Sequence, residues 1–60
     1  MNDKSLKIKQ ILSFAFENHK KNNLKLAEQY YKKILKIDFN HIDAIYLLGT
    51  IYLQKRNFNK

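Results

Sequence analysis

Helical periodicity with almost nothing to interrupt it is the feature that most constrains this chain. In three successive segments the apolar residues recur at intervals of three and four positions, the spacing that places side chains on one face of an α-helix. The chain contains no proline, and Gly49 is its only glycine. Because turn-forming residues are so scarce, the sequence argues against a fold of many short strands. The sequence therefore predicts an all-α fold of three helices.

The first predicted helix extends from Leu6 to Lys21. We expect Asp3 or Ser5 to cap its start, because a short polar side chain accepts hydrogen bonds from the free backbone N–H groups there. Asn22 and Asn23 are expected to form a tight turn, in which asparagine tolerates a left-handed backbone and the second asparagine caps the next helix. The apolar face consists of Ile8, Ile11, Leu12, Ala15 and Phe16.

The second predicted helix begins at Leu24 and turns its lysines mainly toward solvent. Asp38, Phe39 and Asn40 form the connection that follows. Asn40 and Asp43 resemble a capping arrangement in which two short polar side chains satisfy opposite backbone donors. The inner face of this helix is expected to comprise Ala27, Tyr30, Tyr31, Ile34, Leu35 and Ile37.

The third predicted helix extends from Ile42 to about Lys55 and is apolar on nearly all sides, a pattern typical of a helix that is covered on two sides. Its longest uncharged stretch, residues 44–53, is far shorter than the roughly 20 apolar residues that a membrane span requires. The N-terminus lacks a small-residue cleavage site after its short apolar run. A cytoplasmic location is therefore expected.

Twelve Lys and Arg residues against five Asp and Glu give a net charge of +7. The lysines are scattered, and Arg56 is the only arginine, so we interpret them as a solvated surface and expect no specific nucleic-acid binding. Cysteine is absent, and His19 and His41 have no matching ligands at helical spacing, so no metal and no cofactor is expected. The acidic residues are scattered and form no nucleophile–base pair, which predicts no catalytic activity in this chain.

An internal repeat appears when the sequence is shifted by 34 residues, which aligns Ile8 with Ile42 and Ile11 with Ile45. The sequence therefore predicts a lead-in at residues 1–7, a first repeat at 8–41, and the first helix and turn of a second repeat at 42–60. The other aligned pairs are Leu12 with Tyr46, Phe14 with Leu48, Ala15 with Gly49, Lys21 with Lys55, Asn23 with Asn57, and Leu24 with Phe58.

This pattern resembles the tetratricopeptide repeat, a 34-residue helix–turn–helix unit that reads W-x2-L-G-x2-Y, then A-x3-F, then P. The third helix reads Ile45-x2-Leu48-Gly49-x2-Tyr52, and the second supplies Ala27-x3-Tyr31. The first repeat is a degenerate copy, with Ile11, Ala15, Asn18 and Phe39 at the positions of Trp, Gly, Tyr and Pro.

The resemblance implies a close-packed fragment of an α-solenoid. Ala15 and Ala27 would let the first two helices approach, because both side chains are small. Larger side chains would interlock around them as core, namely Phe14, Tyr30, Tyr31, Ile34 and Leu48.

The function that the resemblance implies is a protein–protein interaction scaffold, in which the first helix of each repeat lines a groove for a peptide or a partner helix. The Lys, Arg and Asn clamp of the subgroup that binds acidic C-terminal peptides of chaperones is absent, so an apolar or mixed peptide is expected. The groove candidates are Leu12, Phe16, His19, Tyr46, Thr50 and Leu53, with Lys9, Lys20, Asp43 and Gln54 at further groove positions.

The second side of the third helix has no cover within the sequence. We expect either that the chain is the N-terminal fragment of a longer repeat protein or that it self-associates through the exposed face of residues 42–55. An alternative function is that these are the leading repeats of a larger enzyme, such as a glycosyltransferase or sulfotransferase, whose catalytic domain lies outside this chain. Nucleic-acid binding through the lysines, a third possibility, would show as a steep salt dependence.

Overall fold

A computed structural model describes residues 3–58, and its side chains are described as far as residue 56. It contains three helices, α1 (Asp3–Lys20), α2 (Leu24–Ile37) and α3 (Ile42–Phe58). Within residues 3–58 no residue belongs to a strand, so the all-α prediction is confirmed. The outermost residues of the predicted lead-in and second repeat, 1, 2, 59 and 60, lie outside the described residues.

α2 lies between the other two helices and packs against both of them. Because the connections are short, consecutive helices are antiparallel, and α1 and α3 therefore run in the same direction. The predicted antiparallel helix–turn–helix arrangement is confirmed.

The first turn is built by its two asparagines. Asn22 has a left-handed backbone, with φ of 67°. The Asn23 N–H donates to the carbonyl of Asn18 at 2.8 Å, and the Asn22 N–H donates to the carbonyl of His19 at 3.1 Å. These are the two hydrogen bonds of a Schellman motif, which satisfies carbonyls at the end of a helix. The predicted turn is confirmed, and Asn22 is the residue that allows it.

The predicted side-chain cap at Asn23 is wrong. Asn23 precedes α2, but its side chain makes no capping hydrogen bond to that helix. Its Nδ2 atom instead donates to Oδ1 of Asn18 at 3.3 Å. The Schellman motif turns this side chain back toward α1, so its amide reaches the preceding helix rather than the following one.

His41, and not the predicted Asn40–Asp43 pair, caps the start of α3. The Asp38 side chain accepts the Asn40 N–H at 3.2 Å, and the Asp38 carbonyl accepts the His41 N–H at 3.1 Å. This turn places His41 at the junction, where its Nδ1 accepts the N–H of Ala44 at 3.1 Å. The cap was predicted at Asn40, one residue before its observed position at His41. A ring nitrogen of histidine can accept a backbone N–H at the start of a helix, here that of Ala44, just as a shorter polar side chain does.

Two helix boundaries also differ from expectation. α1 already begins at Asp3, so neither Asp3 nor Ser5 stands before the first turn as a cap. α3 continues to Phe58 past the predicted end near Lys55, and the turn expected at Asn57 does not form. The 34-residue shift explains this difference, because it puts Arg56 where the first turn has its left-handed asparagine, and arginine rarely adopts that backbone.

The core is small and centres on α2. Ala15 and Ala27 are both fully buried, as are the large side chains of Tyr31, Ile34 and Ile51. The predicted small-residue contact between α1 and α2 is therefore supported by the complete burial of both alanines. Isoleucine and tyrosine side chains buried to this extent contribute about 1.5–3 kcal/mol each.

Phe14 does not enter this core as expected. Its side chain is 56% exposed, although its ring packs against that of Tyr30 with centroids 5.8 Å apart. On a helix, Phe14 lies about 100° from the buried Ala15, so it reaches the edge of the α1–α2 contact rather than its centre. Tyr30 and Leu48 are half-buried, and Tyr31 and Ile34 are fully buried as predicted.

α3 has two apolar faces, and only one is covered. Ala44 and Ile51 are fully buried, and Leu47 and Leu48 pack beside them against the core. The opposite face is exposed, as the sequence predicted, and is here named the α3 outer face. It consists of Ile42, Ile45, Tyr46, Gly49, Tyr52 and Leu53.

Candidate peptide-binding groove

A cleft of about 620 Å³ lies between the first half of α1 and the connection that joins α2 to α3. The side chains of Ile8, which is buried, and Leu12, which is half-buried, form an apolar floor. Polar and charged side chains surround this floor. The residues that line the cleft are Lys4, Ser5, Ile8, Lys9, Leu12, Asp38 and His41.

His19 links all three helices at the other end of α1. Its Nδ1 lies 3.2 Å from the hydroxyl oxygen of Tyr31 on α2, and its Nε2 lies 2.9 Å from Oε1 of Gln54 on α3. In a neutral ring, Nε2–H donates to Gln54 and the Tyr31 hydroxyl donates to Nδ1. This side chain thereby holds the end of α1 beside the end of α3.

The Tyr31 hydroxyl is part of that link and is also the most buried titratable group beside the groove. Burial raises the pKa of Tyr31, because the phenolate would lose its hydration in the core. The hydroxyl therefore stays protonated through the physiological range and remains able to donate to His19. The two rings meet edge to face, with centroids 6.0 Å apart and an interplanar angle of 75°.

Glu28 supplies a second link between helices. Its carboxylate pairs with Lys55 of α3 and with Lys32 of its own helix, where Nζ and Oε2 are 3.1 Å apart. The hydrogen bond from Lys55, followed by that from Lys32, lowers the pKa of Glu28. The same pairing raises the pKa of Lys32, which also interacts with Tyr52 of α3.

The predicted groove residues fall into two groups. Leu12 lines the cleft. His19 forms the hydrogen bond with Gln54, and two further candidates lie close to that bond. Phe16 is one turn before His19 on α1, and Thr50 is one turn before Gln54 on α3. Phe16 is exposed to 44%. The Thr50 hydroxyl donates to the carbonyl of Tyr46 at 3.1 Å.

Tyr46 and Leu53 are the most exposed of these candidates, with exposed fractions of 72% and 62%. His19 differs from them, because both of its ring nitrogens already bond to residues of the chain. Its present role is to position helices. The structure thus brings His19 and Gln54 together, whereas Tyr46 and Leu53 lie on the α3 outer face, away from the cleft.

Sequence reasoning missed the polar wall formed by Asp38 and His41. Both residues lie in the α2–α3 connection, and periodicity carries no information about where a connection folds. One signal was present, because the spacing of Asp38 and His41 fits a turn followed by a helix start. Within residues 3–58, no three His, Cys, Asp or Glu side chains gather as they would around a metal ion.

None of the helices in the described part of the chain has both the length and the apolar character needed to cross a bilayer. The cleft combines an apolar floor, Ile8 and Leu12, with polar and charged walls.

Residues 13–41 match the protein family described as tetratricopeptide repeat. These residues cover the second half of α1, the asparagine turn, α2 and the connection through His41. Neither a curated protein nor a solved structure matches the chain. Tetratricopeptide repeats are protein–protein interaction modules. Residues 13–41 of this all-α chain are therefore a tetratricopeptide repeat.

Proposed function

We propose that this chain is an interaction scaffold that binds an apolar or mixed peptide, or a partner helix, in a groove that includes the cleft between α1 and the α2–α3 connection and continues along α1 toward Phe16. The observation that carries the proposal is the cleft itself, whose floor of Ile8 and Leu12 is surrounded by polar walls. An apolar side chain of the partner would displace water from this floor. The surrounding polar groups would fix the direction of its backbone.

The charges around the groove favour a mixed peptide over a polyanion. Lys9 lies on one side of the cleft, but Asp38 lies on the other. Lys32 and Lys55 are held by Glu28. A nucleic acid would meet a carboxylate at the mouth of the groove, whereas a peptide carries both donors and acceptors for these walls.

Selection from a displayed peptide library against the immobilised whole chain tests the proposal. Peptides enriched for one or two large apolar residues should emerge. Phe16→Ala should weaken their binding by about tenfold, because truncating an exposed aromatic contact at an interface costs on the order of 1–2 kcal/mol. Phe14→Ala is the matched control, since Phe14 is an exposed phenylalanine of the same helix on its other side.

Two outcomes would contradict the proposal. One is an equal loss of binding in the Phe14→Ala and Phe16→Ala variants, which would indicate a general effect on the fold. The other is binding that depends on peptide negative charge alone and disappears with added salt, which would point to nonspecific attraction by the lysines.

A further inference from the structure

The two histidines of the chain differ in the hydrogen bonds that their rings make. His19 bonds through both ring nitrogens, to the hydroxyl of Tyr31 and to Oε1 of Gln54. A protonated ring can donate to both of these oxygens, because a tyrosine hydroxyl accepts as well as donates. The link that His19 makes between the helices therefore tolerates protonation.

His41 instead uses a ring nitrogen as an acceptor from the backbone. Its Nδ1 accepts the N–H of Ala44 at 3.1 Å, and its carbonyl accepts the N–H of Ile45, also at 3.1 Å. The residue thus caps the first turn of α3 with its side chain and its backbone together. A protonated ring carries a proton on each nitrogen and accepts no hydrogen bond. Protonation of His41 is therefore incompatible with the side-chain cap.

Water has no access to replace the acceptor that protonation removes. Ala44 is fully buried, with an exposed fraction of 0%, and it belongs to the core. A buried backbone N–H without a partner costs free energy comparable to a lost hydrogen bond. Protonation of His41 should therefore loosen the start of α3 at the point where this helix joins the core.

The charges around His41 draw a protonated ring away from its capping position. Lys4 and Lys9 face the same cleft from α1, and the start of α3 carries the partial positive charge of a helix N-terminus. Asp43, in the first turn of α3, offsets only part of this repulsion. Asp38 lies in the same wall of the cleft as His41, and its carboxylate attracts an imidazolium. The protonated ring should therefore turn from the start of α3 toward Asp38.

We propose that His41 is a pH-sensitive switch that regulates peptide binding in the cleft, an inference that rests on the proposed function. The neutral ring caps α3 and so holds the α2–α3 connection in place as a wall of the cleft. The protonated ring releases the cap, and this wall loosens. Histidine is the side chain that ordinarily changes charge between about pH 5 and 8. Mild acid should therefore weaken peptide binding through this one residue.

NMR spectra of the labelled whole chain, recorded without a peptide, test the switch itself. As the pH is lowered from about 7.5 to 5.5, the Ala44 amide proton should shift upfield and exchange faster with water, with the same midpoint as the His41 ring. In His41→Asn the Ala44 amide should stay constant, because asparagine caps a helix without titrating in this range. A wild-type Ala44 amide that does not follow the His41 ring would overturn the proposal.

Peptide binding at the two ends of this pH range tests the regulation of the cleft. The probe is a histidine-free peptide selected from the displayed library at neutral pH. Wild-type affinity should fall about fivefold in mild acid, the factor that corresponds to the loss of a helix N-cap. His41→Asn should bind the peptide equally at both pH values, whereas His19→Gln should keep the fall.

The outcomes separate this proposal from the proposed function. A wild-type affinity that does not change with pH would overturn the switch and leave peptide binding intact. An equal fall in the wild type and in His41→Asn would do the same. Failure to select any peptide would contradict the proposed function, and the Ala44 amide would then decide whether His41 acts as a switch.

Discussion

Individual polar side chains decide where the helices of this chain begin and end. Asn22 accepts the left-handed backbone that ends α1, and Asp38 folds the second connection by accepting the N–H of Asn40. His41 then caps α3. With no proline and a single glycine in the chain, these few side chains carry the stop and start signals. Their removal should therefore affect stability more than surface exposure suggests.

Replacing His41 by alanine should lower the free energy of unfolding by about 1 kcal/mol, the usual cost of losing a helix N-cap. His41→Asn should keep most of the stability, because an asparagine oxygen can accept the same N–H of Ala44. Urea denaturation followed by circular dichroism measures both. Equal stability of the alanine variant and the wild type would show that the Nδ1 bond contributes nothing.

Gly49→Ala should raise the free energy of unfolding of the monomer by about 1 kcal/mol, since alanine is the better helix former by that amount. The new methyl group meets no neighbour, so no strain offsets the gain. The matched reverse change, Ala15→Gly, should be destabilising because Ala15 is fully buried. Thermal melts at low protein concentration compare the two. A destabilised Gly49→Ala monomer would contradict the packing described for α3.

At the scale of the helices, side-chain links between elements supplement a small core. α2 contains 14 residues, a length at which an isolated helix is marginal in water. Packing against both neighbours stabilises it, and two polar links add to that packing. One is Glu28 with Lys55, and the other is His19 with Tyr31 and Gln54. Both join residues far apart in the sequence.

Stability should fall in acid, and Glu28 should account for part of the fall. Its pKa is lowered in the folded chain by Lys55 and Lys32, so the folded state binds this proton more weakly than the unfolded state does. The contribution is complete above the unfolded value of about 4.5 and is lost as the pH drops through the lower folded value. Its size should be at most about 1 kcal/mol, because the lysines are partly exposed.

Glu28→Gln should remove that contribution at pH 7 and flatten the dependence of unfolding free energy on pH between about 5 and 3. The appropriate control is Glu17→Gln, which changes the same charge on α1. Urea unfolding at a series of pH values gives both curves. Parallel acid slopes for Glu28→Gln and the wild type would mean that the ion pair with Lys55 does not stabilise the fold.

For the whole molecule, periodicity was enough to predict three helices and the uncovered side of α3, and the resemblance to the tetratricopeptide repeat implied the order in which they pack. It could not predict interactions that depend on where a connection folds, such as the cap at His41 or the bridge from His19 to Gln54. Periodicity also failed to predict the position of Phe14. A shift of one residue, about 100° around the helix, decides whether a large side chain enters the core or lies at its edge. The apolar floor at Leu12 was predictable, and the polar wall of the cleft was not.

The groove is the central claim, and mapping of backbone amide shifts on the labelled whole chain with a selected peptide tests it most directly. We expect the largest shift changes around the cleft and along the adjoining part of α1, at Lys9, Leu12, Phe16 and His41, with α2 residues such as Lys33 unaffected. Saturation should be reached at a one-to-one ratio. Changes centred on the outer lysines of α2, or no saturable changes at all, would contradict the account.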